Sequence, residues 1–296
     1  MRNPKTEGFI LVAVLWIIAA LATFASIFSV YVINTATAFT AHDERLQAEG
    51  CARAAIELSA YQLLANPQAP PTRGRFLFRI GSAQVTVEFN SETARIDLNA
   101  APKELLAGLF STLGASRPNA ETYADRILAW RSPPSQNIAD NEASYYRASG
   151  VIYAPRGGAF PHTGELGLVL GIPDVMVERA LPFLTVYSGR PQINILDAAP
   201  QVVAALPGMS PERLQAVLAA RQAPAQNGQD LVAALGPAQT LATTQGGKAV
   251  RVTARIAFDS GQRMTTEAVI FLLDSGTEPY RILTWRDDID EAGPAR

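Results

Sequence analysis

Hydrophobic positions along this chain follow three successive patterns. The first is a solid run. Residues 8–42 hold no Asp, Glu, Lys or Arg, and Phe9–Ile33 reads FILVAVLWIIAALATFASIFSVYVI. As a helix, those 25 residues reach across a bilayer core of about 30 Å. No Pro occurs between Pro4 and Pro67, and no Gly between Gly8 and Gly50. The stretch that follows is helix-forming and carries Leu46, Ala54, Leu58, Tyr61 and Leu64 at helical spacing. The pattern predicts one helix from Phe9 to about Leu64, near 85 Å long at about 1.5 Å per residue. Half of it suits a membrane and half suits packing on a globular body.

The second pattern has period two. Phe76, Phe78 and Ile80 alternate with Arg75 and Arg79; Val85, Val87 and Phe89 alternate with Gln84, Thr86 and Glu88. Gly81-Ser82 between them predicts a tight β-hairpin. The alternation returns at Val250, Val252, Ala254, Ile256 and Phe258, with a turn at 259–262, a returning strand Arg263–Leu273 and a further strand Tyr280–Trp285. The third pattern lies between these pieces. From Leu98 to Thr240 the spacing is helical and broken by Pro and Gly, as in Lys103–Leu113, Glu121–Trp130, Pro173–Leu181, Pro211–Arg221 and Gln229–Leu235. The fold class is α+β: a long N-terminal helix on an antiparallel sheet that is interrupted by a large α-helical insert. The two β pieces pair with each other, since isolated hairpins are marginal. The divisions are 1–8, a leader; 9–33, the membrane part of the helix; 34–97, the first part of the body; 98–240, the insert; and 241–296, the second part of the body.

Net charge is −2, with 25 basic and 27 acidic residues, and becomes −3 without Arg2, Lys5 and Glu7. Lys103 and Lys248 are the sole lysines after Lys5. Such a chain is poorly suited to a phosphate backbone. Arg2 and Lys5 before the apolar run place the short tail in the cytoplasm and the rest outside it. Cys51 is the one cysteine, so no intrachain disulfide forms. It reads as an idle buried thiol or as one that pairs with another chain. The two histidines, His42 and His162, make no triad with it, and no Gly-x-Ser-x-Gly, Walker or His-Glu-x-x-His motif occurs. The chain is not expected to be an enzyme.

An internal echo marks the insert. Ile96-Asp97-Leu98-Asn99-Ala100-Ala101-Pro102 recurs as Ile193-Asn194-Ile195-Leu196-Asp197-Ala198-Ala199-Pro200. An apolar helix follows each, and a second helix then ends near Arg131 or Arg221. Asn99 and Asp197 suit helix caps, and Pro102 and Pro200 suit the first turn. The insert is thus two related helical units.

Three readings of the N-terminus remain on the residues alone: a secretory signal cut after Ala36-Thr37-Ala38, a plain anchor, or a prepilin-type signal. The apolar run is too long for the first. The junction Lys5-Thr6-Glu7-Gly8 before Phe9-Ile10-Leu11-Val12 resembles the third. With Val14-Leu15-Trp16, Glu142-Ala143-Ser144-Tyr145-Tyr146, Gly164-Glu165-Leu166, Leu170-Gly171-Ile172 and Leu206-Pro207-Gly208 in order, nearly the whole chain resembles general secretion pathway protein K, the large minor pseudopilin of type II secretion. The resemblance implies cleavage between Gly8 and Phe9 by a prepilin peptidase and N-methylation of Phe9. It implies an inner-membrane, single-pass protein with a periplasmic head. The implied partners are the I- and J-type minor pseudopilins, the major pseudopilin and the inner-membrane assembly platform. It also implies a place at the pseudopilus tip. Most pilins have Glu at the fifth mature position, where this chain has Ala13. A carboxylate there needs a neighbour's ammonium, and a subunit with nothing above it has none.

No cofactor is required, but the family can bind calcium through an acidic loop in the insert. The matching segment Trp130-Arg131-Ser132-Pro133-Pro134-Ser135 lacks those acids, leaving Glu142 and Asp140 either as reduced calcium ligands or as solvated loop acids. Trp130, Tyr145, Tyr146, Tyr153 and Phe160 gather around the insert's longest loop, as core or as a contact surface. Two rival readings stand. One is a membrane-anchored helix-hairpin-helix DNA receptor, from Leu206-Pro207-Gly208-Met209-Ser210-Pro211, although Ser210 stands where that hairpin has a second Gly. The other is a plain anchored periplasmic scaffold.

Overall fold

The computed structural model describes residues 7–66, 70–133, 139–221, 228–233, 235–275 and 277–289; side chains at 7–10, 36–41, 139–141, 229–230 and 288–289 lie outside the description. Helix α1 (Glu7–Leu64) is continuous over 58 residues. Strands β1 (Arg73–Ile80) and β2 (Ala83–Ser91) turn at Gly81, whose φ of 58° suits glycine, and Ser82. Then follow β3 (Ile96–Asp97), α2 (Lys103–Thr112), α3 (Arg117–Arg131), α4 (Ala139–Ala148), α5 (Asp174–Ala180), β4 (Leu184–Thr185), β5 (Ile193–Asn194), α6 (Pro200–Ala204), α7 (Pro211–Ala220), α8 (Gly228–Ala233) and β6 (Ala242–Thr243). Strands β7 (Ala249–Phe258), β8 (Arg263–Leu272) and β9 (Tyr280–Ile289) complete the chain. The main sheet runs β1-β2-β7-β8-β9, antiparallel throughout. Its central pair joins the two β pieces, from Ala83 opposite Phe258 to Ser91 opposite Val250.

The sheet buries one face against α1. Val85, Val87 and Phe89 of β2, with Val252, Ala254 and Ile256 of β7, meet Ala48, Cys51, Ala52, Ala55, Ile56, Ala60 and Leu63. This helix face differs from the stripe that sequence spacing singles out. Leu46 and Tyr61 are 55% and 74% exposed and point away from the sheet. The alanine-rich face wins because small side chains let a helix backbone approach the pleated sheet closely, while the larger residues stay outside. Ile80, expected to share a face with Phe76 and Phe78, is exposed at the strand end.

The insert has its own core, and its two units are built alike. In the first, β3 pairs in parallel with β4; in the second, β5 pairs in parallel with β6. Asp97 Oδ1 accepts from Asn99 N at 2.7 Å, as Asn194 Oδ1 accepts from Leu196 N at 3.0 Å. Thr185 Oγ1 accepts from Tyr187 N, as Thr243 Oγ1 accepts from Gln245 N, both at 3.1 Å. Arg131 donates to the Leu98 and Ala101 carbonyls, and Arg221 donates to the Ala198 carbonyl. Each unit is thus closed by an arginine at the end of its second helix. The units meet where α2 crosses α6. A Cβ on Gly108 would lie 2.0 Å from the Ala205 carbonyl oxygen, so only glycine fits.

Two expectations about helix starts fail. Neither Asn99 nor Asp197 caps a helix, because α2 and α6 begin later, with Pro102 and Ala199 in the cap positions. Asn99 instead exchanges two hydrogen bonds with the Phe160 backbone, at 3.0 and 2.7 Å. Asp197 accepts from Asn194 Nδ2 and pairs with Arg73 of β1 at 3.3 Å. Pro200 does sit in the first turn of α6. The segment read as the insert's longest loop contains α4, a helix that closes with Arg147 in its last turn.

The insert is bolted to the sheet by a buried carboxylate. Glu92, 1% exposed, follows β2 directly. Its Oε1 accepts from Arg251 Nε of β7 at 2.7 Å, and Arg251 also pairs with Glu267 of β8. Thr185 of β4 donates to the other oxygen of Glu92. Burial pulls the Arg251 pKa down, but Glu92 and Glu267 outweigh it and hold the guanidinium above its usual range. Removing one partner of such a group strands the other. Glu92→Ala is expected to cost about 3–5 kcal/mol in urea unfolding of the solubilised protein. Glu88→Ala, which removes a solvent-facing partner of Arg255, is expected to cost less than about 1 kcal/mol.

Candidate functional site

The first candidate surface is α1 itself. Leu11–Thr35 has a mean hydropathy of 2.5, and none of it is buried in the molecule. Three of its hydroxyls are satisfied internally: Thr23, Ser26 and Thr35 donate to carbonyls four residues back at 2.8, 2.9 and 2.8 Å. That arrangement suits an apolar surrounding, where an unpaired hydroxyl would be costly. Ala13 lies on this segment, partly exposed. Gly8 and Phe9 lie in the first turns of α1, but their side chains, and Met1–Thr6 entirely, are outside the described residues.

Past the apolar segment, the outward face of α1 presents Leu46, Gly50, Ala54, Leu58 and Tyr61. At 3.6 residues per turn these lie opposite the face that packs on the sheet. A Cβ built on Gly50 meets nothing within 4 Å, so the face is shallow and free at that point.

The second candidate is the junction of α3 and α4. Trp130, Tyr146 and Phe160 are buried there, with ring centroids 5.8 Å apart for Trp130–Tyr146 and 6.2 Å for Trp130–Phe160. Core packing is therefore their role. Tyr153 packs on the edge of the cluster, and Tyr145 is 36% exposed with Arg126 over its ring. Glu142 pairs with Arg126 at 2.7 Å. Asp140 is in the first turn of α4, and its side chain is outside the described residues. Among the described residues no group of three His, Cys, Asp or Glu could hold a metal ion. Glu165, 3% exposed, pairs with Arg156 at 2.6 Å.

The remaining candidates stay apart. His42 is exposed on α1, and burial pushes the Cys51 thiol up, away from the reactive thiolate form. His162 is exposed before the 3-10 helix Thr163–Leu168. At the α6–α7 hairpin, Gly208 has φ 71°, and Ser210 accepts from Arg213 N at 3.2 Å. Arg213 turns back to the Gly208 carbonyl at 3.1 Å. The hairpin thus uses the Arg213 backbone donor in its own cap. Sequence reasoning missed the Arg126–Glu142 pair, and it took the outward stripe of α1 for the packed face. Helical periodicity around Leu46 and Tyr61 carried a signal for the stripe, but nothing in the spacing linked position 126 to 142.

Residues 86–189 match the family model described as type II secretion system, protein K, over just over a third of the chain. No curated protein matches the chain in sequence. Among solved structures, a chain of the GspK-GspI-GspJ complex from the enterotoxigenic Escherichia coli type 2 secretion system is similar in fold. The TM-score is 0.65 at 18% identity, covering 84% of this chain and 99% of that one.

The Tyr146 hydroxyl accepts from Leu170 N at 2.9 Å, and burial pushes its pKa up to about 12. A group held neutral in the fold stabilises fully below its unfolded value near 10, and that stabilisation is lost as pH rises towards 12. Tyr280, raised to about 12 by burial and by its bond to Glu57, acts in the same direction. Urea unfolding midpoints are expected to fall between about pH 10 and 12, and Tyr146→Phe is expected to flatten part of that slope.

Proposed function

We propose that this chain is a member of the protein K family of type II secretion, whose model it matches over residues 86–189, and that it works as the minor pseudopilin at the tip of the periplasmic pseudopilus. The observation that carries this reading is a single α1 whose first half is apolar on every side and whose second half mounts an enlarged head. The apolar half holds the protein in the inner membrane before assembly and packs among helices afterwards. The basic leader keeps the N-terminus cytoplasmic and the head periplasmic.

Three features support the tip position. Ala13 replaces the carboxylate that, in a subunit with another above it, would need a neighbouring ammonium. The insert widens the head well beyond the β-sheet body, which hinders packing inside a filament. The outward stripe of α1 gives the I- and J-type partners a helical docking face below the head. The scarcity of lysine and Ser210 in place of the hairpin's second Gly favour this reading over the DNA-receptor one.

The decisive measurement is the mass and N-terminal sequence of the protein co-expressed with a prepilin peptidase. A chain starting at N-methylated Phe9 is expected. An intact chain, or one cut after Ala38, would overturn the reading. The tip position is checked separately by gold labelling of pseudopili with antibodies to the insert: label at one end is expected, and label along the shaft would exclude it. Leu58→Asp together with Tyr61→Asp is expected to abolish co-purification with I- and J-type partners and leave unfolding of the isolated protein within about 0.5 kcal/mol of the parent, as for exposed positions elsewhere.

A further inference from the structure

Three distant segments meet at one guanidinium in the insert. Arg126 of α3 places Nη1 2.7 Å from Glu142 Oε2 of α4, with the two side chains 24% and 14% exposed. Its guanidinium carbon lies 3.9 Å from the centroid of the Tyr145 ring. The turn at Gly171, with φ 88°, closes over the same spot; a Cβ there would lie 3.5 Å from Tyr145 Oη and 3.9 Å from Arg126 Nε. Burial works against the charge on Arg126, but its bond to the Glu142 carboxylate and that group's charge outweigh it, and the pKa lies above the usual value.

This junction adjoins the segment where the family resemblance implies calcium. Calcium takes about six to eight oxygens. Among the described residues no group of three acids lies here; the cavity at the junction is lined by two carboxylates, Asp125, which is paired with Lys103, and Glu142, one of whose oxygens is already held by Arg126. The other, Glu142 Oε1, is buried and has no hydrogen-bond partner among the described residues. A divalent ion on Oε1 would lie a few ångströms from the arginine, in a half-buried place where water screens like charges poorly. The described residues of the junction do not by themselves fit calcium.

We propose that Arg126 is the resident cation of this junction, holding α3 to α4 beneath the Gly171 turn without a metal. Arginine suits the task because it stays charged, bonds a carboxylate with a rigid fork and stacks on an aromatic face at the same time. The assignment is independent of where the protein sits in a pseudopilus.

The test is thermal unfolding of the full-length, detergent-solubilised protein in calcium chloride and in EGTA, with binding of radioactive calcium measured in parallel. The parent is expected to melt within about 1 °C in both media and to show no saturable binding. Arg126→Gln is expected to lower Tm by several degrees, and adding Glu142→Gln is expected to lower it no further, as for residues that act as one unit. Overturning results are a calcium-dependent rise in the parent's Tm, saturable calcium binding lost in Glu142→Gln, or additive effects of the two substitutions. If Arg126→Gln does not fold, Arg126→Lys replaces it; an undiminished Tm with lysine overturns the proposal, because lysine keeps the charge but loses the fork and the stack.

Discussion

The pairing of β2 with β7 is the contact on which the rest of the molecule depends. It joins residues as far apart as Ser91 and Val250. Closing a floppy loop of that length costs roughly 4–5 kcal/mol in chain entropy. The insert removes much of this penalty by folding with its own ends together. Gly247 N donates to Ser91 Oγ at 2.8 Å, and Thr93 Oγ1 donates to the Gln245 carbonyl at 3.4 Å, so the chain leaves and re-enters the sheet at one place. A large insertion is tolerated because its exit and entry points are hydrogen-bonded neighbours.

Glu92 sits at that place and turns proximity into rigidity. One buried carboxylate ties β7, through Arg251, to β4 of the insert, through Thr185. Hydrophobic burial cannot specify such an angle, because apolar contacts are not directional. A charge-assisted bond can, since the buried carboxylate is costly in any orientation that leaves it unpaired. The Asp197–Arg73 pair makes a second tie from the other helical unit to β1. Two ties at separate points resist rotation of the head about the joint, which a protein that mounts a broad head on one helix requires.

The helix α1 divides two solvents. Over Leu11–Thr35 the hydroxyls of Thr23, Ser26 and Thr35 bond back to the helix and none of the span is buried by the molecule itself, an arrangement that suits an apolar surrounding. Past Ala48 the same helix meets the sheet through small residues. One uninterrupted helix therefore serves two different surroundings.

Sequence alone determined the elements whose signals are local. The apolar run, the alternation of Val85, Val87 and Phe89, the Gly81-Ser82 turn and the echo around Asp97 and Asn194 each follow from a short window, because side-chain periodicity reports the geometry of the element that carries it. The sheet's interruption was legible for the same reason, since two alternating pieces flanked a helical stretch. Tertiary structure decided which face of α1 packs, that Asn99 and Asp197 serve loops instead of helix caps, and that Glu142 faces Arg126. It also decided the two-residue parallel pairs β3–β4 and β5–β6, too short to have any period. In each of these cases the outcome depends on a partner many residues away. Residue type states what a polar group needs, but only the folded chain settles which distant group supplies it.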